Sequence, residues 1–187
     1  MEFSTKEVLV KSTENILKAI GENPKREGLK KTPERFTNAL LYLTKGYKED
    51  IQTVVGDGIF QCDTNDPIII KDIEFNSLCE HHMSPFLGKV HIGYIPNGKI
   101  LGLSKFAKIV EMYSKRLQIQ EKLTSEIANA INDILSPIGV IAIIEAEHFC
   151  MKVRGVLKHE TLTKTMSTIG KYKIDKDQKN EFLQLLK

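Results

Sequence analysis

The chain has 187 residues, of which 41% are apolar and 27% are charged, and its formal net charge is +3. These values are typical of a globular protein with a substantial core, and so small a net charge gives no indication of nucleic-acid binding. No apolar run approaches the length of a membrane span, and the polar start Met1–Glu7 does not resemble a signal or transit peptide. Three cysteines are an odd number, which argues against a disulfide framework. We therefore expect a cytoplasmic protein that binds neither nucleic acid nor membrane.

The first part of the chain is predicted to be helical. Apolar residues recur at helical spacing over residues 5–21. Thr32-Pro33-Glu34 is a strong helix start, because a hydroxyl N-cap, a proline at the first helical position and an acid in the first turn are each favoured there. Residues 46–58 show little periodicity and are interpreted as a loop. We predict an N-terminal helical region over residues 1–58 and a catalytic domain over residues 59–187.

The second domain combines strands and helices. Residues 68–75 and 87–95 have the composition of strands. Two amphipathic helices follow, the first of them capped by Ser104, and the aliphatic run 139–146 is predicted to be a buried strand. Strict alternation over residues 148–156 predicts one more strand. The order strand pair, two helices, strand pair predicts an α+β fold, an antiparallel sheet with two helices on one face.

Two short segments carry side chains that suit a metal ion. The first is Cys79-Glu80-His81-His82, and the second is His148-Phe149-Cys150. Thiolate and imidazole are ligands that Zn²⁺ prefers, and Cys79 and His82 can reach one ion from a single turn of backbone. Cys150 would complete three protein ligands across the fold and leave the fourth position to water, which is the pattern of a catalytic zinc site. On the predicted strand, Arg154 would share a face with His148 and Cys150.

Other interpretations of these residues are less well supported. A buried cysteine is usually a small apolar side chain, and one Cys-x-x-His pair is a weak indication of metal binding. A zinc deaminase would need a Pro-Cys-x-x-Cys pair, which the sequence lacks. A structural zinc module would need four protein ligands, and only three line up. The combination of the two clusters therefore predicts a catalytic metal site.

Four motifs in order extend this hypothesis to a family. They are Cys79-Glu80-His81-His82, Gly102-Leu103-Ser104-Lys105, Gln118-Ile119-Gln120-Glu121, and His148-Phe149-Cys150 through Arg154-Gly155. Together they resemble the signatures of the GTP cyclohydrolase I family, and residues 27–29 and 32–35 resemble its N-terminal region, so the resemblance covers nearly the whole chain. It implies the tunnelling fold, in which small sheets with two helices per subunit assemble into a homo-oligomeric barrel, here a decamer. It also implies hydrolysis of GTP to formate and 7,8-dihydroneopterin triphosphate, the first step of pterin and folate biosynthesis.

The resemblance assigns the chemical steps to two groups of residues. Cys79, His82 and Cys150 would hold Zn²⁺, which lowers the pKa of a bound water to about 7 and so supplies a nucleophile for guanine C8. His148 would deliver a proton to guanine N7, and His81 would be a second proton-transfer group. A relative that binds GTP without turning it over would look similar, but every motif residue of the zinc and purine sites is present in this sequence.

The resemblance also assigns residues that bind the substrate. Glu121, with Gln120 beside it, would accept hydrogen bonds from N1–H and the 2-amino group of guanine. Alternatively, Glu121 only complements the positive end of its helix. The residues implied for the sugar and the triphosphate are Ser104, Lys105, Lys108, Arg154 and, from a neighbouring subunit, Arg35.

The sequence departs from the family pattern at two places. Lys108 stands where the family usually has arginine, so a forked donor becomes a point charge. Leu157-Lys158-His159-Glu160 replaces the usual basic residue and Pro-Gly turn.

An antiparallel sheet leaves open edges, and we expect strands such as 87–95 to pair across subunits of a homo-oligomer.

Overall fold

The computed structural model of the chain describes residues 4–155, 157 and 160–186, which form two compact units divided between Thr44 and Lys45. The smaller unit is helical. A capping box stabilises its start, since Ser4 Oγ accepts a hydrogen bond from Glu7 N–H and the Glu7 carboxylate accepts one from Ser4 N–H. The unit contains helix α1 (Thr5–Ala19), a short 3-10 turn (Glu27–Leu29) and helix α2 (Thr32–Leu43). Helix α2 begins at Thr32 itself, so the N-cap is Lys31 and not the predicted hydroxyl.

The larger unit contains the remaining helices and all the strands of the described residues. The helices are α3 (Ile51–Val55), α4 (Leu103–Ser114), α5 (Gln120–Leu135), α6 (Phe149–Lys152), α7 (Lys171–Ile174) and α8 (Lys176–Leu185). The strands are β1 (Ile59–Gln61), β2 (Ile68–Cys79), β3 (Pro85–Ile95), β4 (Lys99–Leu101), β5 (Leu117–Gln118), β6 (Gly139–His148) and β7 (Thr163–Gly170). In the part of the chain that is described, no helix is both long enough and apolar enough to span a bilayer.

A five-stranded sheet with the order β5-β2-β3-β6-β7 is the framework of this unit. Its four long strands are antiparallel neighbours, and only the short β5 runs parallel to its partner β2. β1 and β4 form a separate two-stranded antiparallel sheet. The predicted α+β class with an antiparallel sheet is therefore confirmed.

Both faces of the central sheet carry helices. Val140, Ala142 and Ile144 of β6 belong to the main core, together with the apolar faces of α4 and α5. The alternate residues Ile141 and Ile143 pack in a second cluster with residues of α7 and α8. Because each strand residue points to the face opposite its neighbour's, a strand covered on both sides reads as a continuous aliphatic run. The predicted helix pair on one face is present, and the C-terminal helices add a cover to the other.

The sheet edges differ from the prediction about assembly. Residues 87–95 lie within β3, which is hydrogen-bonded on both sides, to β2 and to β6. The prediction that this strand pairs across subunits is therefore wrong. The outer side of β7 and the part of β2 beyond its short pairing with β5 are the edges that this sheet leaves open.

Two segments of local structure also differ from the sequence predictions. Residues 149–155 do not form the predicted strand, because β6 ends at His148 and a helical turn, α6, follows at once; Val156 lies outside the described residues. Residues 46–58 are not a plain loop, because they include the end of a 3-10 turn and the helix α3, which Asp50 caps by accepting a hydrogen bond of 2.9 Å from Thr53 N–H. Gly46 anchors this segment to the larger unit, since a Cβ at this position would overlap the carbonyl oxygen of Met112.

Candidate active site

A tight turn after β2 brings together Cys79 and His82, the first two side chains of the predicted metal site. Cys79 is the last residue of β2 and is 5% exposed. Its carbonyl oxygen accepts hydrogen bonds from His82 N–H at 3.3 Å and from Met83 N–H at 2.8 Å, and its own N–H donates to Ser84 O at 2.8 Å. The turn folds the chain back so that Cys79 Sγ lies 3.9 Å from His82 Nδ1. Met83 has a positive φ of 50°, which this reversal requires.

The third side chain of the predicted metal site, Cys150, lies just after the end of β6. Phe86 of β3 pairs with His148, so the end of β6 lies beside the start of β3. Cys150 follows on the first turn of α6, and its sulfur, Cys79 Sγ and a His82 ring nitrogen all lie within 4.8 Å of one another. A tetrahedral ion with Zn–S near 2.3 Å and Zn–N near 2.0 Å needs these atoms about 3.5 to 3.8 Å apart. The donor set and its spacing therefore fit a metal ion with three protein ligands. We call Cys79, His82 and Cys150 the metal-type cluster.

The electrostatic setting of the two thiols also suits a cation. Burial and the neighbouring Cys79 thiol raise the pKa of Cys150, while the positive charge of Arg154 acts in the opposite direction. A second negative charge close to a thiolate disfavours both of them, and a bound cation removes this penalty. Arg154 is thus near enough to influence the metal-type cluster.

His148 lies next to this cluster with its ring held on two sides. The ring stacks on Phe86 with a centroid distance of 4.7 Å and an angle of 4° between the planes. Its Nε2 is 2.9 Å from Oε1 of Gln120. Burial lowers the pKa of His148, and the negative charge of Glu121 raises it in partial compensation. The carboxylate implied for guanine and the imidazole implied for proton transfer are therefore neighbours.

Gln120 has hydrogen-bond partners that could not be expected from the sequence. Its side chain is buried, and its amide nitrogen donates to Ile144 O, Thr163 O and Thr165 Oγ1 at 3.0 to 3.1 Å. Beside Glu121 in sequence, it was interpreted as a substrate contact, but the fold directs its side chain to His148 and the β6–β7 pair. These partners are 24 to 45 residues away, so no local pattern could have indicated them.

Glu121 and His81, the other two predicted site residues near the cluster, are exposed to solvent. Glu121 is exposed in the first turn of α5, as the sequence predicts. His81 is exposed on the turn after β2, and its Nε2 lies 4.0 Å from the Glu80 carboxylate. Cys79, His82, Cys150, His148, Glu121 and His81 thus occupy one end of the sheet.

The predicted sugar and phosphate residues of α4 lie at the other end of the sheet. β3 runs from the metal-type cluster to Ile95, and α4 begins after the next strand, β4, and runs back toward β5, which pairs with Cys79. Ten residues of helix separate Ser104 from the C-terminal end of α4, which is about 15 Å. Lys105 Nζ donates to Val54 O at 3.4 Å, and Lys108 is exposed on the same helix.

Arg35 is exposed on α2, within the smaller unit. Leu157 and Glu160 are exposed, and Lys158 and His159 lie outside the described residues. A single larger unit therefore brings the metal-type cluster, His148, Glu121 and Arg154 together, but not Ser104, Lys105 and Lys108.

Comparison with known proteins identifies the family. The family model described as GTP cyclohydrolase I matches residues 9–187. The chain is 51% identical over 173 residues to GTP cyclohydrolase 1 of Homo sapiens, covering 92% of this chain and 69% of the human protein. It is 48% identical over 174 residues to GTP cyclohydrolase 1 of Pseudoalteromonas translucida, covering 93% of this chain and 95% of that protein. The chain belongs to the GTP cyclohydrolase I family.

Membership of the GTP cyclohydrolase I family confirms two predictions made from the motifs, that the chain is an enzyme of this family and that GTP is its substrate. Among solved structures, the apo archaeosine synthase QueF-Like is similar with a TM-score of 0.47 and 18% identity, covering 56% of this chain and 93% of that one. The geometry adds what these comparisons do not contain, the grouping of one imidazole and two thiols at the end of β2 and β6.

Proposed function

We propose that the chain is a zinc-dependent GTP cyclohydrolase I that hydrolyses GTP at guanine C8, releasing formate and 7,8-dihydroneopterin 3′-triphosphate. The observation that carries this proposal is the approach of the Cys79, His82 and Cys150 ligand atoms to within 4.8 Å, with His148 beside them. We place the reaction in the cytoplasm, as the first step of pterin and folate biosynthesis.

In this proposal Cys79, His82 and Cys150 hold the zinc ion as two thiolates and an imidazole. When bound at a site with three protein ligands, zinc activates a water molecule by lowering its pKa to about 7. The chain contributes the ligand spacing, and the burial of Cys79 keeps bulk water from one side of the site.

His148 and His81 carry the proton transfers. Attack at C8 increases the electron density on the imidazole part of guanine, and a proton delivered to N7 neutralises it. His148 is suited to this step because Phe86 and Gln120 fix its ring, so little reorientation is needed during reaction. His81, exposed next to the metal ligand His82, serves as a second proton-transfer group for the later steps.

Glu121 selects the base. Guanine presents two adjacent donors, N1–H and the 2-amino group, and one carboxylate accepts from both. The side chain of Glu121 is exposed, and its charge acts on His148, so a base held by Glu121 would be presented to that imidazole. Adenine has no 2-amino group and carries a lone pair at N1, so it would leave the carboxylate without partners.

The triphosphate is bound by residues from more than one subunit of a homo-oligomer, which we propose to be a decamer. Ser104, Lys105 and Lys108 lie at the opposite end of the sheet from the metal ligands of their own chain, so a second copy has to supply them. Arg154 serves the site of its own chain, and Arg35 that of a neighbour. The open edge of β7 offers backbone groups for pairing with another copy.

The direct test is turnover by the purified, zinc-loaded protein. With GTP we expect formate in equal amount to the pteridine product, which is followed by its absorbance, and we expect both to stop when zinc is removed by a chelator and to resume when zinc is restored. A fully zinc-loaded, folded protein that releases no formate from GTP would refute the proposed function.

A further inference from the structure

The buried amide of Gln120 has only one orientation that the surrounding groups permit. Its nitrogen faces the carbonyl oxygens of Ile144 and Thr163 and the hydroxyl of Thr165, at 3.0 to 3.1 Å. The two carbonyl oxygens can only accept hydrogen bonds, so a reversed amide would place its oxygen against two other oxygens. Because the side chain is 1% exposed, water cannot replace the lost partners.

A second contact supports the same arrangement. Thr124 Oγ1 lies 2.6 Å from both the backbone oxygen of Gln120 and Oγ1 of Thr165. The polar groups of α5 are therefore tied to β7 by Thr124 as well as by Gln120 itself.

The orientation of this amide determines which nitrogen of His148 carries the hydrogen. Oε1 of Gln120 faces Nε2 of His148 at 2.9 Å, and an amide oxygen can only accept. Nε2 must then be the donor, and in the neutral imidazole Nδ1 is left as the bare nitrogen. Phe86 stacks flat on the ring and fixes its plane, and a half-turn of the ring about its Cβ–Cγ bond, which keeps that plane, would replace Nε2 by a carbon atom and lose the hydrogen bond to Gln120. Nε2 and Nδ1 point in different directions, so the bare nitrogen faces away from Gln120.

We propose that Gln120 is a positioning residue that holds His148 as the Nε2–H tautomer, which makes Nδ1 the atom that accepts a proton from the attacking water and then delivers it to guanine N7. The sequence had suggested that Gln120 contacts guanine, whereas its side chain contacts His148 instead. The assignment of the tautomer stands on the hydrogen bonds alone, and the role of Nδ1 rests on the proposed function.

The tautomer can be measured without substrate. The protein has five histidines, so selective 15N labelling of histidine and magic-angle-spinning NMR of the zinc-loaded protein resolves few signals. The signals of His148 are those that disappear in His148→Asn. At about pH 8, where an unperturbed imidazole is neutral, we expect a protonated Nε2 and an unprotonated Nδ1. A protonated Nδ1 with a bare Nε2 in His148 would overturn the proposal, and this result does not depend on GTP turnover.

Two variants separate positioning from a general structural role. Gln120→Met removes the acceptor at similar length, and we expect a mixture of His148 tautomers and a kcat lowered by about tenfold or more, with little change in KM. Thr165→Val removes one acceptor of the amide nitrogen but leaves the contact with His148, so the tautomer should not change.

The outcomes of these variants are distinguishable. If Gln120→Met lowers stability but leaves both the tautomer and kcat of the folded protein unchanged, Gln120 is only structural and the proposal is wrong. If Gln120→Met does not fold, the spectrum of the parent protein still decides which nitrogen of His148 carries the hydrogen.

Discussion

In the proposed zinc site, Cys150 is the ligand that comes from a different part of the chain than Cys79 and His82, so its replacement is the sharpest test of that site. We expect Cys150→Ser to lose most of its zinc and its activity, since a serine hydroxyl is a poor zinc ligand and two ligands hold the ion far less tightly than three. Metal content per subunit is measured by inductively coupled plasma mass spectrometry. Cys62→Ser is the matched control, because Cys62 lies outside the cluster and should keep a full complement of zinc. Full retention of zinc in Cys150→Ser would remove the basis of the assignment.

Glu121 tests the choice of base. Glu121→Gln keeps the size but replaces one acceptor oxygen by a donor, which then faces a guanine donor. An unmatched buried polar contact costs about 1–3 kcal/mol, so we expect GTP turnover to fall by about ten- to a hundredfold or more, with zinc content unchanged. Steady-state kinetics with GTP and metal analysis check both parts.

Asp133→Asn is the control for Glu121→Gln, because it makes the same change of charge at an exposed position of the same helix. It should turn over GTP at nearly the parent rate. If Glu121→Gln also does so, the carboxylate only complements the start of α5 and the base is bound elsewhere.

The sequence alone was sufficient to predict which side chains come together where their chemistry is itself rare. Two thiols and an imidazole in short clusters indicate a metal whatever the fold around them, and the structure brings Cys79, His82 and Cys150 together as predicted. Gln120 could not be interpreted in this way, since glutamine is common and its partners come from β6 and β7. The distance between Lys105 and the metal-type cluster, at opposite ends of the sheet, likewise follows from chain topology, and no local spacing in the sequence could have predicted it.

The end of β6 shows why alternation alone does not define an element. Residues 148–156 alternate as a strand does, but the strand pairing ends at His148, opposite Phe86. The residues that follow directly, Phe149–Lys152, form the helical turn α6, which carries Cys150 to the metal-type cluster. By contrast, Asp50 is of a residue type favoured at helix starts and does cap α3, but this helix of five residues is too short to show a helical period in the sequence.

A bulge in β2 gives the sheet a pH-dependent contact. The pairing register with β3 shifts between Ile70 and Ile73, and Asp72 has a positive φ of 61°. The N–H of Asp72 donates to Nδ1 of His91 at 3.1 Å, and the Asp72 carboxylate pairs with Lys89 at 2.9 Å. Burial lowers the pKa of His91; Asp72 and Glu145 raise it in part, whereas Lys89 and Lys71 lower it further. Protonation of Nδ1 would remove the acceptor that the bulge uses.

This contact predicts a loss of stability in acid. Because the pKa of His91 is lower in the folded protein than in the unfolded one, its contribution is complete above about pH 6.5 and is lost as the pH falls through the folded pKa. His91→Phe leaves the Asp72 N–H without an acceptor, so near pH 8 we expect it to be less stable than the parent by about 1–3 kcal/mol.

The difference between the parent and His91→Phe should shrink as the pH falls, and urea unfolding monitored by circular dichroism at several pH values measures it. Other groups titrate in both proteins and cancel in the comparison. A difference in the free energy of unfolding that stays constant from about pH 8 to pH 5 would show that His91 does not titrate as described.

In the proposed homo-oligomer, the active site is completed only when copies of the chain assemble. Lys105 and His148 belong to one chain but lie at opposite ends of its sheet, so each site should combine Lys105 of one subunit with His148 of another. We expect Lys105→Ala and His148→Ala each to be nearly inactive. When the two variants are co-expressed with different affinity tags and assemble at random, about a quarter of the sites receive both intact residues, and activity should return in that proportion.

The control for this experiment is a chain that carries both substitutions, co-expressed with the parent. There about a quarter of the sites again combine two intact residues, so the two mixtures should have similar activity. If the mixed single variants remain as inactive as each variant alone, both residues act within one subunit and the division of the site between copies is wrong.

Hydrolysis at guanine C8 is tested most directly by following that carbon atom. Zinc-loaded protein is incubated with GTP labelled with 13C at C8, and the products are examined by NMR. We predict that all the label appears in formate, in an amount equal to the dihydroneopterin triphosphate formed, and that no label is released by Cys150→Ser. Label that stays in the nucleotide or its dephosphorylated products while GTP is consumed would contradict the proposed reaction.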